Sequence, residues 1–468
     1  TYGRMSFLTK ISTGKNDFRT VTKFFGEYSE NNFRYPDPYT VSESIWLKRE
    51  NNRVKQNGFM QEFYFRKPHH QFSARFWHQY ADRQIPVPVL VSQLHPGEKQ
   101  KDESTRALLN YDYYSGEKNL NIVMAILSDR LDYLNPPASV DSRNKMLTGV
   151  FKSRFTTSLT HNTNATISME NRLTSVNSNN YASGKLNNTL EIAFLAETFF
   201  SKRISTSILI RETLLNDKLL IPDLSAGLQL KTNKDKESYV KTNFSRNSRI
   251  PSLNDMYWMP GGNPDLKNEY ATTFEIGWEI SEKKYSHISY KYDITFFRSF
   301  IRDMIKWTPG INSLWYAANL SKVNTSGIET SFSLHYSAGL FKSDLIAGYS
   351  LTRATDISPE TESNSRQLVY VPFHQINNIF RLGYRNFSAS LLSLFTGRRY
   401  TDSDNTRFLR GYFVNDLSTG LKFKLKIISI NTLFVIENLF NEEYQNTAWY
   451  PMPGRSYMFK LTFETNQK

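Results

Sequence analysis

"YMFKLTF", residues 457–463, alternates without a break: Tyr457, Phe459, Leu461 and Phe463 fall on one side, Met458, Lys460 and Thr462 on the other. A period of two is that of an extended strand, whose successive side chains point to opposite faces. The same split recurs in "LKFKLKI" (421–427), where Leu421, Phe423, Leu425 and Ile427 oppose Lys422, Lys424 and Lys426. It recurs again in "HISYKYDITFF" (287–297) and "IETSFSLHY" (328–336). No stretch keeps a helical stripe. The chain therefore reads as all-β.

Alternation alone also suits a soluble β-sandwich. The connections separate the two. Short ones, "TGKND" (13–17), "KPHH" (67–70), "SGEKN" (115–119), "NKDKE" (233–237), "SAG" (337–339) and "RN" (385–386), take turns with long ones at 29–56, 81–104, 129–146, 248–268, 355–370, 398–410 and 439–454. A sandwich has no reason to place every long loop at one end, whereas a transmembrane barrel has short turns on one side and long loops on the other. Runs such as "FYF" (63–65), "RFW" (75–77) and "NYDYY" (110–114) fit the aromatic girdles of such a barrel.

Composition agrees. Aromatic residues make up 14% of the 468-residue chain, while hydrophobic residues reach 39%. No apolar run approaches the roughly 18 residues of a spanning helix. With no cysteine, disulfide frameworks, zinc fingers and thiolate nucleophiles are excluded. The net charge of +14 is scattered, with no basic run of five, which argues against a nucleic-acid groove and leaves an anionic substrate or a phosphate-rich membrane surface.

Strands counted by this rhythm number about 21, an odd count that cannot close as an antiparallel single-chain barrel. The expectation is a transmembrane antiparallel β-barrel of about 22 strands, filling residues 1–468, with its first strand and an N-terminal plug lying upstream of this chain.

One connection is unusual. "SRIPSLNDMYWMPGGNPDLKNEY" (248–270) carries Tyr257, Trp258 and Met259 amid turn formers. Its two boxes, Arg249, Pro251 and Ser252, then Asn263, Pro264, Asp265, Leu266, Lys267 and Glu269, resemble the paired motif of TonB-dependent outer-membrane receptors. "NTSGIETSFSLHY" (324–336), "FTGRRYTDSDNTRFLRGYFVNDLSTG" (395–420), "VIENLFNEEYQ" (435–445) and "YPMPGRSYMFKLTF" (450–463) are similar to further family elements. "NNFRYPDPYT" and the early loops resemble the Bacteroidetes branch. The resemblance implies the outer membrane of a Gram-negative bacterium, a small-molecule ligand, coupling to TonB through a plug, contact with lipid and lipopolysaccharide, and room for a surface lipoprotein lid. It implies neither an enzyme nor a cofactor.

The motif residues Arg249, Pro251, Asn263, Pro264, Asp265, Leu266 and Glu269 read mainly as structural: proline suits strand ends, and Gly261-Gly262 a tight turn. The tip, Asn254, Asp255, Met256, Tyr257 and Trp258, needs an apolar partner, whether lipopolysaccharide, a neighbouring loop or a ligand. "KWTPGINSLWYAAN" (306–319), with Trp307, Trp315 and Tyr316, and "NTAWYPMPG" (446–454), with Trp449 and Tyr450, join it as candidate ligand-binding loops at the mouth. Aromatic planes beside amides suit a large flat or ring-shaped ligand. A corrinoid such as cobalamin is the leading cargo; a ferric siderophore or haem is the alternative. An axial haem ligand is sought among His78, His95 and His374, since His69, His70, His161, His287 and His335 fall toward the short-turn end. Asp402, Ser403 and Asp404 are oxygen donors for calcium or simply a solvated loop. A passive porin, with 16 to 18 strands, and a barrel protease or lipase are the other function classes. No Gly-x-Ser-x-Gly or His-Glu-x-x-His occurs.

Overall fold

A computed structural model describes residues 2–37, 45–89, 97–136, 139–285, 287–309, 315–358 and 365–465. Its dominant feature is one antiparallel sheet in which each long strand pairs with its neighbours in sequence, from Met5–Lys15 to Ser456–Thr465. Discounting the two-residue piece Lys218–Leu219, which pairs only with Leu214–Leu215, the sheet has 21 strands. The first and last run in the same direction, and among the described residues each is paired on one side only. Their long-loop ends meet where the Tyr2 hydroxyl donates to the Gly454 carbonyl (3.1 Å). Antiparallel closure between them takes one strand of the opposite direction.

The sheet is a single layer, which is what disposes of a sandwich. On one face Phe459 is 64% exposed, Phe463 66% and Ile126 60%, with no second sheet covering them among the described residues. Rings on this face meet across strands, Phe24 with Phe59 (4.9 Å), Phe244 with Phe274 (5.0 Å) and Phe72 with Tyr111 (4.7 Å). The other face carries charge. Lys23 pairs with Glu62 (3.0 Å), Arg106 with Asp129 (3.0 Å), Arg172 with Glu170 (2.7 Å) and Arg211 with Asp223 (2.5 Å). Glu279 sits between Lys241 (2.8 Å) and Lys291 (3.1 Å), linking three successive strands. An apolar face outside and a polar face inside is the division that a membrane-spanning barrel wall requires. No helix among the described residues is long and apolar enough to cross a membrane.

Two expectations are corrected. The connection read as 129–146 is mostly strand: Lys118–Asn135 and Val140–Thr160 pair up to Asn135 and Val140. Likewise the strands Ile288–Pro309 and Trp315–Ala338 pair up to Pro309 and Trp315, so Trp307, Trp315 and Tyr316 lie on a hairpin wall and not in an open loop. The physical reason is the same for both: leaving the apolar zone ends the demand for greasy side chains, but two antiparallel backbones still satisfy each other better by pairing on.

Above the sheet the long connections carry small hairpins of their own, Arg34–Pro36 with Trp46–Lys48, Arg399–Tyr400 with Phe408–Leu409, and Gln445–Thr447 with Tyr450–Pro451. Phe33, Tyr35 and Val89, flanked by Tyr2 and Leu47, form the compact apolar cluster that holds part of this cap.

Candidate ligand-binding mouth

The motif loop is a lock between strands. Arg249 ends the strand Glu237–Arg249, and its backbone partner Glu269 opens the strand Glu269–Tyr285. By register both face the polar interior. Arg249 Nη1 lies 2.5 Å from Glu269 Oε1, which also accepts the Ile305 N–H of the next strand (2.7 Å). Glu269 is buried. One carboxylate thus fixes three consecutive strands where they leave the membrane zone.

Pro251 follows, and Ser252 caps a five-residue helix, Leu253–Tyr257. Ser252 Oγ accepts the Asp255 N–H (3.1 Å), while Asp255 Oδ2 accepts the Ser252 N–H (3.0 Å), a reciprocal capping box. The other oxygen, Asp255 Oδ1, accepts Trp307 Nε1–H (2.9 Å), and Arg249 Nη2 stands 3.5 Å from Oδ2. Burial pushes the Asp255 carboxyl up, but the Trp307 and Ser252 donors and the Arg249 charge outweigh it and hold the group below its ordinary range.

The aromatic tip packs on a neighbouring loop. Tyr181 donates to Asn254 Oδ1 (2.5 Å) and its ring lies 6.2 Å from that of Tyr257. Lys185 Nζ stands 4.4 Å from the centre of the Tyr257 ring. The Met259 N–H is given to the Asn180 carbonyl (2.9 Å). Trp258 is half-buried and Met259 is exposed. On its far side the loop is stitched to the strand Trp315–Ala338: Ala317 N–H donates to the Gly261 carbonyl (2.9 Å), and Asn319 bonds both the N–H (2.8 Å) and the carbonyl (3.0 Å) of Lys267. Gly261 is required there, because a Cβ would lie 1.7 Å from the Trp315 carbonyl oxygen. Asn263 Oδ1 accepts the Asp265 N–H (3.0 Å), an Asx turn running through Pro264, while Leu266 is half-buried.

The structure therefore brings Asn254, Asp255, Tyr257, Trp258, Trp307 and Trp315 into one cluster. Trp315 and Tyr316 are exposed. Trp449 and Tyr450 stand elsewhere, with five strands between the motif hairpin and the strand Tyr412–Lys424 beside them. Trp449 accepts the Val89 N–H on its carbonyl (2.9 Å) and leaves its side chain 41% exposed; Arg49 lies over the Tyr450 ring (5.6 Å).

Next to them is a site the sequence did not point to. Arg399 stacks on Tyr412 (5.2 Å) and donates to the carbonyls of Gln445 (2.8 Å) and Asn446 (2.9 Å). Tyr412 in turn donates to Asn446 Oδ1 (2.8 Å) and meets the Tyr444 ring at 4.5 Å. This frame walls a cavity of about 430 Å³ lined by Arg34, Tyr35, Trp46, Arg410, Tyr444 and Glu442 among others. Four connections far apart in sequence build it, so nothing local in "FTGRRY" marks it. Tyr181 and Lys185 were equally invisible, one an ordinary loop residue and the other the first residue of its strand, until the fold sets them against Tyr257.

Other candidates are engaged elsewhere. His78 bonds Thr105 Oγ1 (2.9 Å) and His374 bonds the Tyr349 hydroxyl (3.0 Å), and by register both stand on the apolar outer face, away from any ligand in the lumen. His95 lies outside the described residues. Asp402 accepts the Thr406 and Arg407 N–H groups (2.9 and 3.2 Å) and so serves its own loop, while Asp404 pairs with Arg366 (2.5 Å) of the connection at 355–370. Among the described residues no cluster of three metal-ligating side chains occurs.

Residues 12–439 match the family model described as "TonB dependent receptor-like, beta-barrel". The chain is 24% identical over 237 residues to the vitamin B12 transporter BtuB of Photobacterium profundum, covering 50% of this chain and 36% of that one. It is 24% identical over 222 residues to BtuB of Vibrio vulnificus (strain YJ016), covering 46% and 33%. The chain thus spans about a third of the length of the curated relatives it matches. Among solved structures, the FrpB iron transporter from Neisseria meningitidis (F3-3 variant) superposes with a TM-score of 0.74 at 11% identity, covering 98% of this chain and 79% of that one. The siderophore receptor PirA from Acinetobacter baumannii superposes with a TM-score of 0.74 at 13% identity, covering 99% and 77%.

Proposed function

This chain belongs to the family of TonB-dependent receptor-like β-barrels, and from that premise we propose that it forms the wall and mouth of an outer-membrane receptor that imports a corrinoid. The long-loop end faces outward and captures the ligand. A TonB-type periplasmic protein supplies the energy, and no covalent chemistry is asked of any residue.

One observation carries the corrinoid reading. The likeness to vitamin B12 transporters is one of sequence, over half of this chain, whereas the likeness to iron and siderophore receptors at 11–13% identity is one of fold alone. The mouth is chemically suitable: Trp258, Trp315, Tyr316 and Trp449 offer ring area on two arcs of the rim, and Asn254 and Asn446 offer directed amides. A second reading, a ferric siderophore, rests on the 430 Å³ cavity, where phenols stand among Arg34, Arg410, Glu442 and Glu443 and offer a polar frame for a compact chelate. Haem is disfavoured by the outward placement of His78 and His374.

The test is titration of the full-length protein in detergent with cyanocobalamin, haemin and a panel of ferric siderophores, read by tryptophan quenching. Saturation by cyanocobalamin, lost in Trp258→Ala or Trp449→Ala, is the expected result. Saturation by a siderophore, lost in Arg410→Ala, would replace the first reading by the second.

A further inference from the structure

Part of the basic excess of the chain stands at the short-turn rim. From the strand Lys185–Phe199 onward, short turns expose Lys202 and Arg203, then Lys234, then Arg385, then Lys426. None of these five forms an ion pair among the described residues. Of the nearby acids, Glu237 holds Lys231 (2.6 Å), Glu282 holds Lys236 (3.0 Å) and Asp344 holds His335 (2.6 Å), while Asp235 stands at a turn tip beside Lys234, Glu197 near the end of its strand, and Glu464, opposite Ser429, accepts from the Asn431 amide (3.3 Å). From Lys422 to Ile436 there is no acid at all. The other half of the rim also exposes Lys15, Arg66 and Lys118, with Lys67 paired to Asp17 and Glu117 beside Lys118.

At the same level the turns expose apolar side chains. Phe200 is 64% exposed, Tyr384 51% and Ile427 68%, and the Arg385 guanidinium lies 5.5 Å from the centre of the Tyr384 ring. Rings and aliphatic chains beside unpaired cations are the make-up of a surface that sits where acyl chains give way to headgroups. We propose that this arc, from the turn at 200–203 to the turn at 425–427, binds anionic phospholipid headgroups of the leaflet facing the short turns. Charge complementarity selects the partner: the five exposed cations outnumber the free acids beside them, and phosphatidylglycerol supplies one net negative charge per lipid where a zwitterionic lipid supplies none. The inference rests on the reading of this chain as a membrane-spanning barrel.

The full-length protein, reconstituted in mixed phosphatidylcholine and phosphatidylglycerol bilayers and released into the gas phase, would be scored by native mass spectrometry for the lipids it retains. The wild type is expected to prefer phosphatidylglycerol by about tenfold or more, less so at high salt. The variant Lys202→Glu/Arg203→Glu/Arg385→Glu/Lys426→Glu is expected to lose that preference, and the corresponding Gln variant to lose most of it, with heat-modifiable gel migration showing both folded. Equal retention of the two lipids by the wild type, or an unchanged preference in folded variants, overturns the proposal. So does displacement of the lipid by millimolar inorganic phosphate, which would mark a small-anion site. Failure to enter bilayers of either composition would instead defeat the barrel reading itself.

Discussion

Glu269 shows how much one side chain can hold. It neutralises Arg249, accepts the Ile305 N–H and is itself buried, so Glu269→Ala strands a donor on each neighbouring strand. The expected loss is about 2 kcal/mol, read as a lower midpoint for heat-induced unfolding on gels; a change within error would make the motif a ligand contact and not a brace. Gly261→Val tests the close approach to Trp315. Proteolytic nicking between 253 and 268 should rise while the barrel band is unchanged, and a loop as resistant as the wild type would contradict the packing. Asp255 gives a pH dependence. Its folded value is depressed, so its contribution is complete above the ordinary aspartate value of about 3.9 and fades as pH falls through the folded one. Hydrogen exchange of residues 252–258 should therefore accelerate below about pH 4 and not between pH 5 and 8; Asp255→Asn should abolish that dependence.

A strand of this protein is legible because its two solvents differ. Tyr457, Phe459, Leu461 and Phe463 read as one face in the sequence and stand on one face in the structure, and the period-two reading of Ile288–Phe296 holds through the pairing with Ile328–Tyr336. Legibility fails where the lipid stops. Beyond it both faces meet water, alternation loses its cause, and Lys306–Pro309 or Leu131–Asn135 pass for loop although they are paired strand. The candidate site was legible in the same measure. Tyr257 and Trp258 were visible as aromatics in a turn, but Tyr181 reaches Asn254 across 73 positions and Arg399 reaches the Gln445 carbonyl across 46, and no local pattern encodes such contacts. The face assignment is testable on its own terms. Ile276→Arg, on the apolar face, should destabilise the folded barrel by about 2–4 kcal/mol if it lies near the bilayer midplane, whereas Glu275→Arg on the inner face should not approach that figure; comparable effects would undo the assignment.

For the whole molecule, the absence of cysteine makes orientation directly measurable. In intact cells Ser403→Cys, in a long connection, should react with a membrane-impermeant maleimide, and Asn386→Cys, in a short turn, should react only after the outer membrane is breached. The reverse pattern would turn the molecule upside down. A last consequence follows from the paired extensions beyond the lipid. The strand Ile288–Pro309 has 22 residues; at about 3.3 Å per residue and a tilt near 40° it rises roughly 55 Å, against an apolar band of about 25 Å. On that side the wall stands like a turret above the surface, with Trp307 and Trp315 near its parapet. For the receptor proposed above, a solute would then be met in an antechamber well clear of the lipid and judged by height and clearance before it is judged by fit, and a bulky carrier or a surface glycan would exclude it at the rim without touching the site.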